Sequence, residues 1–272
     1  MPILHAIVLG ITQGLSEFLP ISSSGHLRLV PWLFGWDDFS GRASLEKTFD
    51  VALHLGTLIG AVAYFRADVV RYTRAGLRRG ATQTTDGRLA WLLVASTVPA
   101  AVTGALFADV IEERTGYIWL IATMLIVFGL VLGWADRRGG TRTIADVTMR
   151  DALLMGAGQA VALQPGVSRS GVTMTAGLMA GLGRDGAARF AFLMSLPITA
   201  GALVFKAVDV ASEGGIPSGF AAPFFWGIVA SGVTGWAAVW GTLRLIRTRT
   251  FAPFVAYRIV VGVGALLLYT FR

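Results

Sequence analysis

The sequence predicts an all-α protein that crosses a membrane several times. Of its 272 residues, 54% are hydrophobic and only 14% are charged, which is too few charges for a water-facing surface around one core. Six apolar stretches approach the roughly 20 residues that cross about 30 Å of hydrocarbon. Two similar polar stretches interrupt other apolar runs. We therefore expect six transmembrane helices plus two re-entrant broken-helix segments, arranged as two inverted-topology repeats.

The first repeat is expected to occupy residues 1–135. Its re-entrant segment, 2–48, begins with a helical pattern that stops at Pro20, and Gly25 follows where the chain must turn. Apolar runs then predict three spans, at about 49–65, 90–108 and 117–135.

The second repeat is expected to occupy residues 150–272. In its re-entrant segment, 151–185, Pro165 and Gly166 stop the helix and Gly171 follows the turn. Its spans are predicted at about 187–208, 223–245 and 254–271. Residues 136–149 form the linker, which the charge pattern places in the cytoplasm.

The net charge of +7 is explained by topology and not by nucleic-acid binding, because the basic residues fall between apolar spans. Arginines crowd three loops: Arg66, Arg71, Arg74, Arg78, Arg79 and Arg88; Arg137, Arg138, Arg142 and Arg150; and Arg244, Arg247 and Arg249. The alternate loops are acidic: Asp109, Glu112 and Glu113; and Asp209 and Glu213. The positive-inside rule places the arginine loops in the cytoplasm, where they would contact anionic headgroups.

Aligning the chain with itself supports the repeat at an offset of 145 or 146 residues. The matched pairs are Gly10 with Gly156, Gln13 with Gln159, Pro20 with Pro165, Ser24 with Ser170, and Gly25 with Gly171. Three crossings per half force the halves into opposite orientations, which is a known way to build a site from broken helices near the midplane. We expect serines to cap the new helices and to leave N–H groups for an anion. The candidates are Ser22, Ser23, Ser24, Ser168 and Ser170.

The first polar stretch, QGLSEFLPISSSGHL, places Gln13 and Glu17 on one helical face. Such a pair can hold a divalent cation or orient a proton transfer, although Glu17 could also pair with an arginine for packing. The hydroxyls from Ser22 onward lie close to His26. They suit a serine nucleophile with its base, a phosphate-binding loop with a general acid, or only a serine-rich helix cap. The spacing leaves all three open.

The second polar stretch, LQPGVSRSGVT, places Arg169 between Ser168 and Ser170, with Thr173 following. A guanidinium can bind phosphate oxygens bidentately, and hydroxyls can fill the remaining acceptors. The alternative partner for Arg169 is Glu17, across the interface between the repeats. His54, inside an apolar span, is expected to be a packing histidine. The chain has no cysteine, which excludes a disulfide framework and a thiolate metal site.

These two stretches resemble the (E/Q)xxxE motif with its serine–histidine continuation, and the PGxSRSxxT motif, of the bacterial undecaprenyl-pyrophosphate phosphatase family, also called the bacitracin-resistance family. The resemblance runs over nearly the whole chain. It implies an integral membrane enzyme that removes the terminal phosphate of undecaprenyl diphosphate and so recycles the lipid carrier for cell-wall polymers. It also implies bacitracin resistance, a location in the bacterial plasma membrane, and an active site open to the periplasmic or extracellular side.

The resemblance assigns residues to roles. The catalytic residues would be Glu17, Ser23, His26 and Arg169, with His26 passing a proton and either Ser23 or a water as the nucleophile. The substrate-binding residues would be Gln13, Ser22, Ser24, Ser168, Ser170 and Thr173. A divalent cation, Mg²⁺ or Ca²⁺, would bind Glu17, and Gln13 is a second candidate ligand that lacks the charge of the family's Glu.

The expected partners are the polyprenyl diphosphate and membrane lipids, not nucleic acid, and a homodimer is left open. Inverted repeats with broken helices are equally typical of a secondary transporter or flippase of an anionic prenyl-phosphate substrate. That function is the alternative hypothesis.

Overall fold

The computed structural model describes residues 1–272 except 115–116, 213–215 and 218, and it describes no side chains for 108–116, 209, 211–215 and 218. Its long elements are all α-helices: α1 (Ile3–Phe18), α2 (Ser23–Phe34), α3 (Ala43–Tyr64), α4 (Arg66–Gly76), α5 (Thr85–Ala95), α6 (Val98–Arg114), α7 (Ile118–Asp136), α8 (Met149–Val161), α9 (Arg169–Met179), α10 (Arg184–Ser212), α11 (Ala221–Ile246) and α12 (Ala252–Phe271). The prediction of an all-α chain is confirmed for these described residues.

Within the described part of the chain, five stretches are long and apolar enough to cross a membrane: Thr85–Phe107, Ile118–Asp136, Arg184–Val208, Ala221–Ile246 and Ala252–Phe271. A sixth is obtained if α3 and α4, which are bent by 83° relative to each other, are counted together. The chain is therefore a multi-pass membrane protein, as predicted.

The helix bounds differ from the predicted spans at two places. Helix α3 begins at Ala43, before the predicted start at residue 49, and its first turns carry Glu46, Lys47 and Asp50. The span predicted at 90–108 is two helices, because α5 ends at Ala95 and α6 begins three residues later. Pro99 explains this break. Its ring would clash with the carbonyl of Ala95 in a continuous helix, and proline has no backbone N–H to donate to that carbonyl.

Both re-entrant segments contain the predicted break. Helix α1 gives way to α2 through Leu19 to Ser22, and α8 gives way to α9 through Ala162 to Ser168. Ser22 and Ser168 are the N-caps. Their φ angles are 79° and 74°, in a backbone region that residues other than glycine seldom adopt. Ser23, Ser24 and Ser170 were also expected to cap, but they lie inside the first turns of α2 and α9.

The two halves of the sequence interdigitate. Helix α11 packs between α1 and α3, and α12 packs against α7. Glycines permit the close approach: a Cβ on Gly14 would fall within 2.6 Å of the Ser231 carbonyl oxygen, and one on Gly60 within 2.9 Å of the Trp236 nitrogen. Each half therefore completes the packing of the other.

The predicted linker, 136–149, is fixed by polar contacts. The Arg142 guanidinium donates to the carbonyl of Ala180 at 2.6 Å and to the Asp151 carboxylate at 2.5 Å. Asp136 accepts hydrogen bonds from Arg184 at 2.5 Å and from the Phe251 backbone N–H at 2.9 Å. The acidic residues expected to mark the opposite side, Asp109, Glu112, Glu113, Asp209 and Glu213, lie outside the residues whose side chains the structure describes.

Candidate active site

The two broken segments contact each other at their turns. The backbone N–H of Gly166 donates to Ser22 Oγ at 3.1 Å, and Ser170 Oγ donates to the carbonyl of Leu19 at 3.1 Å. Each bond joins the turn of one segment to the turn of the other, across about 150 residues of sequence. The juxtaposition predicted from the two motifs is therefore present.

Arg258, in α12, connects the two turns through hydrogen bonds; the contact region between the turns is called the junction below. Its side chain is fully buried. Its guanidinium donates to five backbone carbonyls: Leu125 at 3.0 Å, Met124 at 3.3 Å, Pro20 at 3.2 Å, Gly166 at 2.9 Å and Val167 at 3.0 Å. Three of these acceptors belong to the two turns, where the helix breaks have released carbonyls from helical bonding. Arg258 was not among the predicted site residues, although an arginine inside an apolar span is a signal of function.

Glu17 is the centre of the polar cluster. It is 7% exposed and forms an ion pair with Arg169 from the opposite segment. Ser23 Oγ donates to Glu17 Oε2 at 2.6 Å, and Gln13 Nε2 donates to the same oxygen at 3.1 Å. The structure thus brings together Gln13, Glu17, Ser23 and Arg169, and it contains the Glu17–Arg169 pair that the sequence offered as an alternative.

His26 directs both ring nitrogens away from this cluster. Its Nδ1 lies 2.7 Å from the carbonyl of Ser22, and because a carbonyl only accepts, Nδ1 carries the proton. Its Nε2 then accepts from the hydroxyl of Tyr257 at 2.8 Å. The expected role of passing a proton to or from Ser23 is therefore not the role that these bonds support. They support a role in fixing the turn at Ser22.

His54 is the imidazole that approaches Glu17. Its Nε2 lies 3.7 Å from Glu17 Oε2, and its Nδ1 donates to the carbonyl of Asp50 at 2.8 Å. The side chain was expected to be a packing histidine, but α3 packs beside α1 and places this face of α3 against the polar cluster. No pattern in the sequence predicts this contact, because it depends on the rotation of α3 about its own axis.

The remaining predicted substrate ligands divide into two groups. Ser22, Ser168, Ser170 and Thr173 are buried and bonded within the turns: Ser168 Oγ accepts from the Gly171 N–H at 3.1 Å, and Thr173 donates to the carbonyl of Arg169 at 2.7 Å. Ser24 is exposed on the first turn of α2. The buried hydroxyls therefore shape the turns, and Ser23 and Ser24 are the accessible ones.

The starts of α2 and α9, together with Arg169 and Ser23, could bind an anion and place a hydroxyl beside it. Helices α2 and α9 begin beside each other, so their first-turn N–H groups and positive dipole ends are close together. Arg169 adds a full positive charge, and the Ser23 hydroxyl faces a carboxylate that can accept its proton. These groups can bind a phosphate and attack it.

The same cluster contains oxygen atoms that could bind a cation. Gln13 Oε1 is buried and has no hydrogen-bond partner among the described residues, so an acceptor oxygen is available beside Glu17. Over the same described ranges, no three His, Cys, Asp or Glu side chains cluster as a metal site. One carboxylate and one amide oxygen fit a cation that is shared with substrate phosphates, and they do not form an all-protein cage.

Comparison with known proteins gives one consistent result. Residues 6–264 match a family model described as bacitracin resistance protein BacA. Proteins named undecaprenyl-diphosphatase are similar over nearly their whole length: the one from Pelobacter propionicus is 51% identical over 96% of this chain and 95% of its own, and the one from Geobacter sulfurreducens is 50% identical over 100% and 99%. A more distant one, from Nocardioides sp., is 44% identical over 97% and 96%.

The role of Arg258 yields a prediction about stability. Arg258→Met keeps the bulk of the side chain but removes the donor from the three buried turn carbonyls, those of Pro20, Gly166 and Val167. We expect a loss of about 3–5 kcal/mol, measured as a lower unfolding temperature in detergent. The control is Arg249→Met, since Arg249 is exposed. An unfolding temperature for Arg258→Met equal to that of the control would contradict the role.

Proposed function

The chain belongs to the family of bacitracin resistance protein BacA, and from this membership we infer that it is a membrane-embedded undecaprenyl-diphosphatase. It hydrolyses undecaprenyl diphosphate to undecaprenyl phosphate and inorganic phosphate, which recycles the lipid carrier for peptidoglycan and other cell-wall polymers and confers resistance to bacitracin. The observation that carries the inference is the match over residues 6–264, which includes both motifs that meet in the structure.

Substrate binding is proposed to separate Arg169 from Glu17. In the free protein these two side chains neutralise each other. A diphosphate entering beside α2 and α9 offers Arg169 a stronger anionic partner and accepts bonds from the first-turn N–H groups of both helices. Ser24 and Gln13 would complete the binding of the head group, and the bonds that Ser22, Ser168, Ser170 and Thr173 make would keep the two helix ends in place.

Ser23 is proposed as the nucleophile and Glu17 as its base. The O–H bond of Ser23 breaks as Glu17 Oε2 takes the proton, and Oγ forms a bond to the terminal phosphorus. The bond from that phosphorus to the bridging oxygen breaks, and undecaprenyl phosphate leaves. Water then attacks the phosphorus of the phosphoserine. As the bond from Ser23 Oγ to phosphorus breaks, Glu17 returns its proton to Oγ, takes a proton from the attacking water, and releases that proton to solvent as inorganic phosphate leaves. The 2.6 Å contact between Ser23 and Glu17 supports this order.

A divalent cation, Mg²⁺ or Ca²⁺, is proposed as the cofactor. Glu17 and the free Oε1 of Gln13 would hold it together with substrate phosphate oxygens. When bound, it would neutralise negative charge on the diphosphate.

The architecture is proposed to be two inverted repeats of a re-entrant segment and three spans, within residues 1–135 and 150–272. The recurrence of a positive-φ serine cap at equivalent positions supports the repeat. From the arginine-rich loops and the positive-inside rule, we propose that the linker lies in the cytoplasm of a bacterium and that the site opens to the periplasmic or extracellular side of the plasma membrane. Membrane lipids and the polyprenyl diphosphate are the proposed partners, and a homodimer stays a prediction.

Substituting Arg169 tests the assignment of the site. We expect Arg169→Ala to lower phosphate release from undecaprenyl diphosphate by about 100- to 1,000-fold, because the diphosphate loses its only full positive ligand among the described site residues. Phosphate release by purified protein in detergent is the measurement, with Arg249→Ala as the control and size-exclusion profiles as the check on folding. Turnover like that of the wild type would refute the assignment. Movement of intact lipid in vesicles without phosphate release would favour the transporter alternative.

The identity of the nucleophile can be tested at Ser23. If Ser23 is the nucleophile, Ser23→Ala should reduce turnover by at least about 1,000-fold. Acid quenching of the wild type during turnover should then leave one phosphoryl group on the peptide that contains Ser23. The control is Thr48→Ala, on α3 away from the cluster. Retention of a tenth of the activity by Ser23→Ala would instead assign the attack to water.

The cation can be tested through Gln13. A chelator should abolish phosphate release, and Mg²⁺ should restore it. Gln13→Glu adds the anionic ligand that the family motif also allows, so we expect the half-saturating Mg²⁺ concentration to fall on the order of tenfold. Gln83→Glu adds the same charge at an exposed, remote position and should leave that concentration unchanged. Equal responses of the two variants would count against a cation at Gln13.

A further inference from the structure

Helix α4 has the position of a membrane-surface helix. It follows the apolar helix α3 directly and is bent by 83° away from it. If α3 crosses the bilayer, α4 therefore runs nearly parallel to the membrane plane. Its residues divide into a cationic face and an apolar face, which is the pattern of a helix that lies in the interface.

The cationic face borders a groove of about 610 Å³ between α4 and the start of α5. Arg66, Arg71, Arg74 and Arg78 line it, with Asp86 on the opposite wall. Arg71 is compensated by Asp68 at 2.8 Å and by Asp86 at 3.6 Å. Among the side chains that the structure describes, no carboxylate pairs with Arg66, Arg74 or Arg78. The groove therefore holds three guanidinium groups available to an anion.

The apolar face borders a second groove, of about 440 Å³, between α3, α4, α5 and α10. Its lining includes Val62, Val69, Leu77, Trp91, Leu196 and Ala200. Trp91 is half exposed at the rim, and its indole N–H donates to the carbonyl of Gly76 at 3.2 Å. Because three of the four helices around this groove are parts of candidate spans, we expect lipid chains, and not water, to surround it.

The two grooves meet along one edge of α4, where Arg66, Val70, Thr73 and Leu77 are all exposed. Leu77 is 81% exposed and Val70 is 46% exposed, beside guanidinium groups that no carboxylate compensates. Water would solvate the arginines, but contact of these two apolar side chains with water is unfavourable in free energy. A molecule with an anionic head and an apolar chain would satisfy both kinds of side chain.

We propose that this edge of α4 is a binding site for an anionic membrane phospholipid. The phosphate lies against Arg66, Arg74 and Arg78, and one acyl chain lies in the apolar groove beside Trp91. An acidic protein would match the charge but not the groove, which faces lipid. This site is separate from the polar cluster around Glu17 and does not depend on the proposed hydrolysis.

The test is native mass spectrometry of the purified full chain with phosphatidylglycerol or phosphatidylcholine. Replacing Arg66, Arg74 and Arg78 together with Gln should weaken phosphatidylglycerol binding by about 100-fold. The matched control removes the same charge from Arg137, Arg150 and Arg249, which are exposed outside both grooves, and should leave affinity within about threefold. Phosphatidylcholine should bind weakly to every form, because its headgroup has no net charge.

The acyl chain is tested separately by Ala200→Phe, which fills the apolar groove without changing any charge. We expect it to weaken phosphatidylglycerol binding at least about tenfold, and we expect glycerol phosphate, which lacks acyl chains, not to displace the lipid at equal concentration. Equal losses in the two triple variants, equal binding of phosphatidylcholine, or an unchanged affinity in Ala200→Phe would each overturn the proposal. Stronger displacement by undecaprenyl phosphate than by phosphatidylglycerol would overturn the phospholipid assignment and give the site to the polyprenyl lipid.

Discussion

The arrangement of the site depends on one constraint: where two helices break inside an apolar protein, the freed backbone groups need hydrogen-bond partners. At each break a turn releases carbonyls and N–H groups that hydrocarbon cannot bind. Arg258 supplies donors to carbonyls of both turns, and Ser22 Oγ accepts from Gly166 of the opposite turn. Each segment thus satisfies polar groups of the other, and loss of either one would leave buried donors or acceptors of its partner unpaired. The site is therefore a consequence of how the breaks are satisfied.

The same junction sets the electrostatics of the reaction. A buried carboxylate is costly alone, and the ion pair with the half-buried Arg169 reduces the cost for Glu17 in the free protein. The pair also leaves Glu17 Oε2 beside the Ser23 hydroxyl. In the proposed reaction, a phosphate would replace Glu17 as the partner of Arg169, and the carboxylate would then be a stronger base for Ser23. Binding and activation would thus be coupled through one ion pair.

Small residues allow the charged elements to reach each other. Glycines on α1 and α3 accept the backbone of α11 at close range, so a helix from the second half lies within the first. This packing places α3 beside α1 and brings His54 to Glu17. Because helices of both halves pack together here, binding or release of an anion at the turns would affect contacts in both halves.

The sequence by itself determined the fold class, the two breaks and the meeting of the motifs. Apolar length, Pro20 and Pro165, and the repeated glycines and serines are local signals, and local signals predict where helices begin and end. Gln13 could be placed beside Glu17 from their spacing, and Glu17 was one predicted partner of Arg169, because a carboxylate and a guanidinium in lipid require partners. Ser23 was placed beside His26, and the structure pairs it with Glu17 instead.

Only the tertiary structure decided which imidazole faces Glu17, that His26 bonds to Tyr257, and that Arg258 binds both turns. These facts depend on the rotation of each helix about its axis and on contacts between residues more than 90 positions apart, which spacing along the chain does not encode. The break near residue 95 has a local cause in Pro99, which the prediction of a span at 90–108 overlooked.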